Sequence, residues 1–140
     1  MFASETKWRN MNLIDLIADF QAAAVAGKPE LMRTEDLREG FGQEFSDEEV
    51  SLLVVPRRTL ARRIAQSEPL NLDETDRAIR IGSVTVEAER VFGNAAKARR
   101  WMRKPNPALA GQRPIVLLQT AAGTLAIEEL LGQIDHGMYI

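Results

Sequence analysis

Apolar residues recur at helical spacing along nearly the whole chain, and the alternation typical of β-strands is absent. The apolar stripe within residues 13–20 predicts a helix that ends near Gly27. A weaker pattern over residues 31–38 predicts a second helix, stopped by Gly40 and Gly42. With no strand pattern to set against these stripes, we expect an all-α fold.

Two further helices are predicted by local start signals. Ser46 and Glu49 have the spacing of a capping box, which opens a short helix. Pro56 follows, and a proline is well tolerated at a helix start because its missing N–H needs no partner there. Leu60 and Ile64, four residues apart, are expected to form the inner face of the helix that Pro56 begins.

The longest predicted helix covers about residues 72–92. Asn71 and Glu74 form its capping pair. Residues 82–86 have weak helix propensity and resemble a short strand, but the helical periodicity continues through them. Because this helix is apolar on more than one side, we expect it to be central, between two packing layers or at an interface.

The last fifty residues contain several short, shaped elements. Asn94 is expected to cap a basic helix that carries Trp101. The prolines of residues 105–111 forbid continuation of that helix and predict an extended segment. Pro114 starts another short helix, and an apolar stripe predicts a final helix over residues 123–136.

Composition narrows the possible classes of protein. A chain of 140 residues that is 45% apolar is expected to form one compact domain, or two small ones sharing a core. The absence of cysteine excludes disulfides and thiolate metal sites. A net charge of −2 argues against general coating of nucleic acid and still permits a local basic patch. No apolar run approaches the roughly 20 residues of a membrane span, so we expect a cytoplasmic protein without a membrane partner.

The sequence contains few candidates for catalytic or metal-binding residues. His136 is the only histidine, and without a cysteine or a second histidine we expect no metal site. Its neighbours Asp135 and Gly137 indicate a helix C-terminus, where histidine suits the dipole and glycine the left-handed cap. No nucleophile–base arrangement can be assembled from the serines. We therefore expect a protein that is not an enzyme and has no catalytic residue and no cofactor.

The arginines are concentrated just after Pro56, with four in the seven residues 57–63. A short helix, a tight connection and a basic second helix form the layout of a helix-turn-helix, in which such arginines contact phosphates and base edges. The alternative is a solvated basic face that pairs with the acidic residues 47–49. The sequence leaves both interpretations open.

Three apolar features near the C-terminus also have two interpretations. Trp101 with Phe92 is expected to be core more than recognition surface. Residues 105–111 form either a structural corner or a rigid binding edge. Met138–Ile140 either fold back on the last helix or fill a partner's cleft.

Many separated positions agree in order and spacing with one known family. They are Val55–Arg63, Leu72–Arg80 with Glu74 and Asp76-Arg77, Val91-Phe92-Gly93, Lys97-Ala98, Trp101-Met102, Pro105-Asn106, Leu109, Gly111, Pro114, Leu117-Leu118, Gly123 and His136-Gly137. Over residues 46–140 the chain resembles the Xre/MbcA/ParS antitoxins, the partners of RES-domain toxins in bacterial type II toxin–antitoxin pairs.

The resemblance implies an all-α protein with two parts. Residues 1–70 would be an N-terminal helical region with an Xre-like helix-turn-helix, and residues 71–140 a small helical toxin-binding domain. The implied protein is a homodimer that binds a RES-domain, NAD-consuming toxin and occludes its active site. It would also bind operator DNA and repress its own operon. A stand-alone helix-turn-helix transcriptional regulator is the alternative.

The resemblance also implies two sets of contact residues. The DNA-binding set would be Arg57, Arg58, Thr59, Arg62 and Arg63. The toxin-binding set would be Arg99, Arg100, Arg103, Lys104, Pro105, Asn106, Leu109, Gly111, Asp135, His136, Gly137, Met138, Tyr139 and Ile140.

Overall fold

The computed structural model describes residues 12–137, and within that range every regular element is a helix. The predicted all-α class is confirmed. The α-helices between residues 12 and 137 are α1 Leu13–Val25, α2 Thr34–Phe41, α3 Asp47–Leu53, α4 Arg57–Ala65, α5 Leu72–Phe92, α6 Ala95–Arg103, α7 Pro114–Leu117 and α8 Ala121–Asp135. A 3₁₀ turn, Pro107–Leu109, lies between α6 and α7.

The chain divides into two compact units, of which the first ends at Gly82 and the second begins at Ser83. The division falls inside α5, so this helix contributes to both units. The boundary expected from the sequence, between residues 70 and 71, lies just before α5 begins.

The core of the first unit is aliphatic and aromatic. Its fully buried side chains include Leu16, Met32, Leu37, Phe41, Val55, Leu70 and Ile81. Gly82 lies against this core, and a β-carbon at that position would come within 2.7 Å of Ile17 Cγ1 and 3.3 Å of Phe41 Cζ. Its weak helix propensity is therefore offset by close packing of α1 and α2 against α5.

Gly82→Ala is expected to lower the free energy of unfolding by roughly 1–3 kcal/mol, because the added methyl overpacks the contact with Ile17. The matched control is Gly132→Ala in α8, where nothing lies within 4 Å of the new methyl. That change is expected to stabilise the protein by roughly 0.5–1 kcal/mol, the helix-propensity difference. Thermal and urea unfolding of both variants measures the contrast, and an equal shift in the two would contradict it.

Two predicted helix boundaries were wrong, and both had been placed at a glycine that lies inside a helix. Gly40 lies inside α2, which ends at Phe41, since the missing side chain makes room for Leu16 Cδ2. Gly123 lies inside α8, which begins at Ala121 with Thr120 as its N-cap; the Thr120 hydroxyl accepts from the Gly123 N–H at 2.9 Å. A glycine that permits close packing and a glycine that ends a helix cannot be distinguished from local sequence alone.

Candidate functional sites

The basic helix α4 follows α3 after the connection of residues 54–56, as the start signals predicted. Ser46 and Glu49 form the predicted capping box at the start of α3, with bonds of 3.1 and 2.9 Å. Arg57 and Arg58 are exposed, and neither has a salt-bridge partner among residues 12–137. Both guanidinium groups are therefore available to an anionic ligand.

Arg63 is placed differently from the arginines that precede it. Its side chain is 14% exposed, its Nε lies 2.9 Å from Glu74 Oε1, and its Nη2 donates to Glu74 Oε2 at 3.3 Å. Glu74 is itself buried and completes the predicted capping pair by accepting from the Asn71 N–H at 2.9 Å. The acidic partners of Arg62 and Arg63 are thus Glu68 and Glu74, which the sequence had not indicated.

The helix α4 borders an open groove. No side chain of α4 is fully buried, and the predicted inner residues Leu60 and Ile64 are only half-buried. They line a groove of about 530 Å³ whose other walls include Leu37, Val50 and Val55. With its apolar face only partly covered, α4 gains less from apolar burial than the core helices do.

In the second unit, α6 carries an apolar side and a basic side. Asn94 caps it as predicted, its side chain accepting from the Lys97 N–H at 2.9 Å. Ala98 and Met102 are buried, and the half-buried Trp101 ring lies 5.3 Å from the Phe92 ring. The aromatic pair therefore contributes to packing, as expected, and the basic residues occupy the rest of the helix surface.

The proline-containing segment after α6 is a closed loop rather than the extended stretch that was predicted. Its centre is Asn106, which donates its N–H to the Gln112 carbonyl at 3.0 Å. Its side chain accepts from Ala108 N–H at 2.9 Å, and its carbonyl accepts from Leu109 and Gly111. The prolines limit the conformations of the unfolded chain, and the hydrogen bonds of Asn106 hold the folded loop. The loop therefore has a defined shape in the absence of a partner.

The C-terminal end of α8 is fixed to α5 by an ion-pair cluster. Arg90 donates to both oxygens of Glu87 and, at 2.9 Å, to Asp135 Oδ2. The bond from Arg90 lowers the pKa of Asp135, while its bonds to the Glu87 and Asp135 carboxylates raise the pKa of Arg90. Asp135, expected to face the toxin, is thus held within the unit. The pairing of Arg90 with Asp135 had no local sequence signal, because the two residues lie 45 positions apart.

The chain leaves α8 through the predicted cap. His136 is the C-cap residue, and its N–H donates to the Gly132 carbonyl at 3.1 Å. Gly137 has φ +73, the left-handed conformation expected of it. The predicted contact residues Met138, Tyr139 and Ile140 lie outside the described residues.

Two kinds of feature were searched for in the part of the chain that the structure describes. No helix between residues 12 and 137 has the length and apolar character needed to cross a membrane. In the same range, no three histidine, aspartate or glutamate side chains come together as a metal site.

Comparison with known proteins points to the second unit. Residues 87–137 match the family described as "Antitoxin Xre/MbcA/ParS C-terminal toxin-binding domain". Antitoxin Xre of Pseudomonas putida is 45% identical over 84 residues, 60% of this chain and 53% of that protein. Antitoxin Xre of Yersinia enterocolitica is 33% identical over 86 residues, 61% of this chain and 58% of that protein. A Sphingobium protein named Prs ADP-ribosylating antitoxin is 26% identical over 90 residues, 58% of this chain and 57% of that protein.

The chain spans a little over half the length of these curated relatives. The matched family region begins near the C-terminal end of α5 and includes α6, the Asn106 loop, α7 and α8. The resemblance predicted from the sequence is confirmed. Residues 87–137 match the C-terminal toxin-binding domain of the Xre/MbcA/ParS antitoxins, and the chain is similar to curated proteins named Antitoxin Xre.

Proposed function

We propose that this chain neutralises a RES-domain, NAD-consuming toxin in the cytoplasm by packing its second unit over the entrance to the toxin's active site. The observation that carries the proposal is the match of residues 87–137 to a toxin-binding domain family. A relative whose name joins an antitoxin to ADP-ribosylation is compatible with a partner of NAD chemistry.

Two structural features support a mechanism of steric occlusion. The Asn106 loop is held by its own hydrogen bonds, so it presents a rigid edge and loses little conformational entropy on binding. The ion pair between Arg90 and Asp135 joins the last turn of α8 to α5, and residues 138–140 follow this turn in the sequence. In this proposal Asp135 positions the tail, while Met138–Ile140 contact the toxin cleft.

The proposal is tested by mixing the purified protein with the purified toxin encoded by the adjacent gene and following NAD concentration. Stoichiometric inhibition of NAD loss, together with a stable complex on size-exclusion chromatography, is the expected result. Unchanged NAD consumption at saturating antitoxin would contradict the proposal. Restored growth of cells that co-express both genes provides the same comparison in vivo.

We also propose that the first unit binds operator DNA as a homodimer and represses the chain's own operon. Arg57 and Arg58 are exposed and have no salt-bridge partner in the described range 12–137, which supports this role because phosphate contacts need accessible guanidinium groups. Thr59 and Arg62 remain in the proposed DNA-facing set. Arg63 is assigned to stability, since its guanidinium is committed to Glu74.

Arg58→Ala is expected to weaken binding to duplex DNA from upstream of the gene and to reduce the salt dependence of log K by about one unit. The physical reason is that one fewer phosphate is neutralised and fewer counterions are released. Fluorescence anisotropy across a series of salt concentrations measures the slope. Lys28→Ala, an exposed change outside α4, is the control, and the same loss of slope in both variants would contradict the assignment.

The stand-alone regulator remains the alternative function. It predicts operator binding with an unchanged affinity when the toxin is added, because no complex forms. Anisotropy measured with and without the toxin distinguishes this alternative from an antitoxin.

A further inference from the structure

The charges of this chain are unevenly distributed. Residues 90–127 contain seven arginines and lysines and no aspartate or glutamate, whereas the rest of the chain has eleven basic and twenty acidic residues. The basic segment therefore lies in an otherwise acidic protein, and six of its seven cations fall between Lys97 and Arg113. Such separation of charge creates a positive potential around this segment, although the net charge of the whole chain is negative.

Within this segment, helix geometry brings three cations to one side of α6. Lys97, Arg100 and Lys104 follow one another at three and four positions, which at 100° per residue places them within about 60° of arc. All three are exposed, and none has a salt-bridge partner among residues 12–137. The buried Ala98 and Met102 hold the opposite side of the helix.

A fourth cation is brought back to the end of this helix by the Asn106 loop. The bond from the Asn106 N–H to the Gln112 carbonyl closes the loop between Lys104 and Arg113. Arg113 is exposed and, in the described part of the chain, also lacks a carboxylate partner. We call Lys97, Arg100, Lys104 and Arg113 the cationic stripe.

The other flank of α6 behaves differently. Arg103 donates its Nη1 to the Arg99 carbonyl at 3.1 Å, so its guanidinium is engaged with the helix's own C-terminal end. The toxin-facing set expected from the resemblance combined both flanks and did not include Lys97 or Arg113. The structure thus separates Arg103, which is engaged with its own helix, from cations that have no carboxylate partner in the part of the chain that it describes.

We propose that the cationic stripe recognises a carboxylate-rich surface on the toxin and steers the two proteins into their complex. This inference rests on the proposed function. A protein partner fits better than nucleic acid because the stripe lies inside the matched toxin-binding region.

The proposal makes a kinetic prediction, since charges at the rim of an interface act mainly on the association rate and its dependence on salt. Lys97→Glu/Arg100→Glu is expected to lower the association rate constant by about tenfold or more at low salt, with the dissociation rate constant changed less than about threefold. The wild-type association rate should fall with added salt, and that of the variant should change little.

The test is stopped-flow or biolayer interferometry of the full chain against the purified toxin of the adjacent gene, without NAD. The matched control is Lys28→Glu/Arg38→Glu, which changes net charge equally at exposed positions of the first unit. The control is expected to associate within about threefold of wild type. Equal slowing of both variants, or no slowing of either, would overturn the proposal.

A parallel titration of the same variants with duplex DNA tests whether the cationic stripe binds nucleic acid instead of the toxin. If the stripe variant lost DNA affinity while associating normally with the toxin, the stripe would be a nucleic-acid surface and the proposal wrong. If the charge reversal unfolded the second unit, Lys97→Gln/Arg100→Gln would carry the same comparison with a smaller expected effect. Failure of the wild-type chain to bind the toxin would instead overturn the proposed function, and this inference with it.

Discussion

Arg63→Met is expected to lower the free energy of unfolding of the first unit by about 3 kcal/mol. Losses of roughly this size are typical when one partner of a buried ion pair is removed. The substitution leaves the Glu74 carboxylate buried without its guanidinium partner. The effect should be large for this unit because α4 has no fully buried side chain and depends on this link to α5. Urea unfolding followed by circular dichroism measures the change.

The second half of this test is a pair of control variants. Arg63→Met/Glu74→Gln removes both charges but keeps an oxygen that accepts from the Asn71 N–H, so it should recover most of the lost stability. Arg58→Met, on the exposed side of the same helix, should change stability by less than about 0.5 kcal/mol. Equal losses for Arg58→Met and Arg63→Met would show that Arg63 has no special structural role.

Helix starts were the most predictable part of this fold because their signals are local. Ser46 with Glu49, Asn71 with Glu74, and Asn94 each satisfy free N–H groups within three residues, and all were confirmed. The long helix predicted over about residues 72–92 was also confirmed, since apolar periodicity outweighed the weak propensity near Gly82.

Features that depend on distant residues were not predictable from one sequence. Gly40 was interpreted as a helix stop, and this was wrong because the glycine makes room for Leu16, which lies on another helix. Arg63 and Asp135 were assigned to partner surfaces, and only the fold reveals that Glu74 and Arg90 engage them. Charged residues are the least predictable in this respect, because an exposed contact and an internal ion pair use the same residue types.

Deletion of Met138–Ile140 is expected to weaken binding to the toxin by at least about 30-fold, equivalent to about 2 kcal/mol, while leaving the fold intact. The physical reason is the loss of an aromatic and two aliphatic side chains proposed to fill the active-site entrance. Titration of NAD consumption against antitoxin concentration measures the loss. Circular dichroism and thermal unfolding of the shortened chain should match wild type.

A control variant of unchanged length tests whether the apolar side chains of the tail matter, or only the presence of three further residues. Replacing Met138, Tyr139 and Ile140 together by serine should reproduce most of the loss caused by the deletion. If the serine variant inhibited the toxin as well as wild type does, the side chains of the tail would have no role in neutralisation. Full inhibition by the shortened chain would exclude the tail altogether.

Binding of a non-reactive NAD analogue to the toxin tests the central claim most directly, because occlusion requires that the analogue and the antitoxin exclude each other. Calorimetric titration of the analogue into toxin saturated with the full chain should show no binding, and into free toxin a normal isotherm. Unchanged affinity for the analogue in the preformed complex would contradict the account, since the active-site entrance would then be open while the antitoxin is bound.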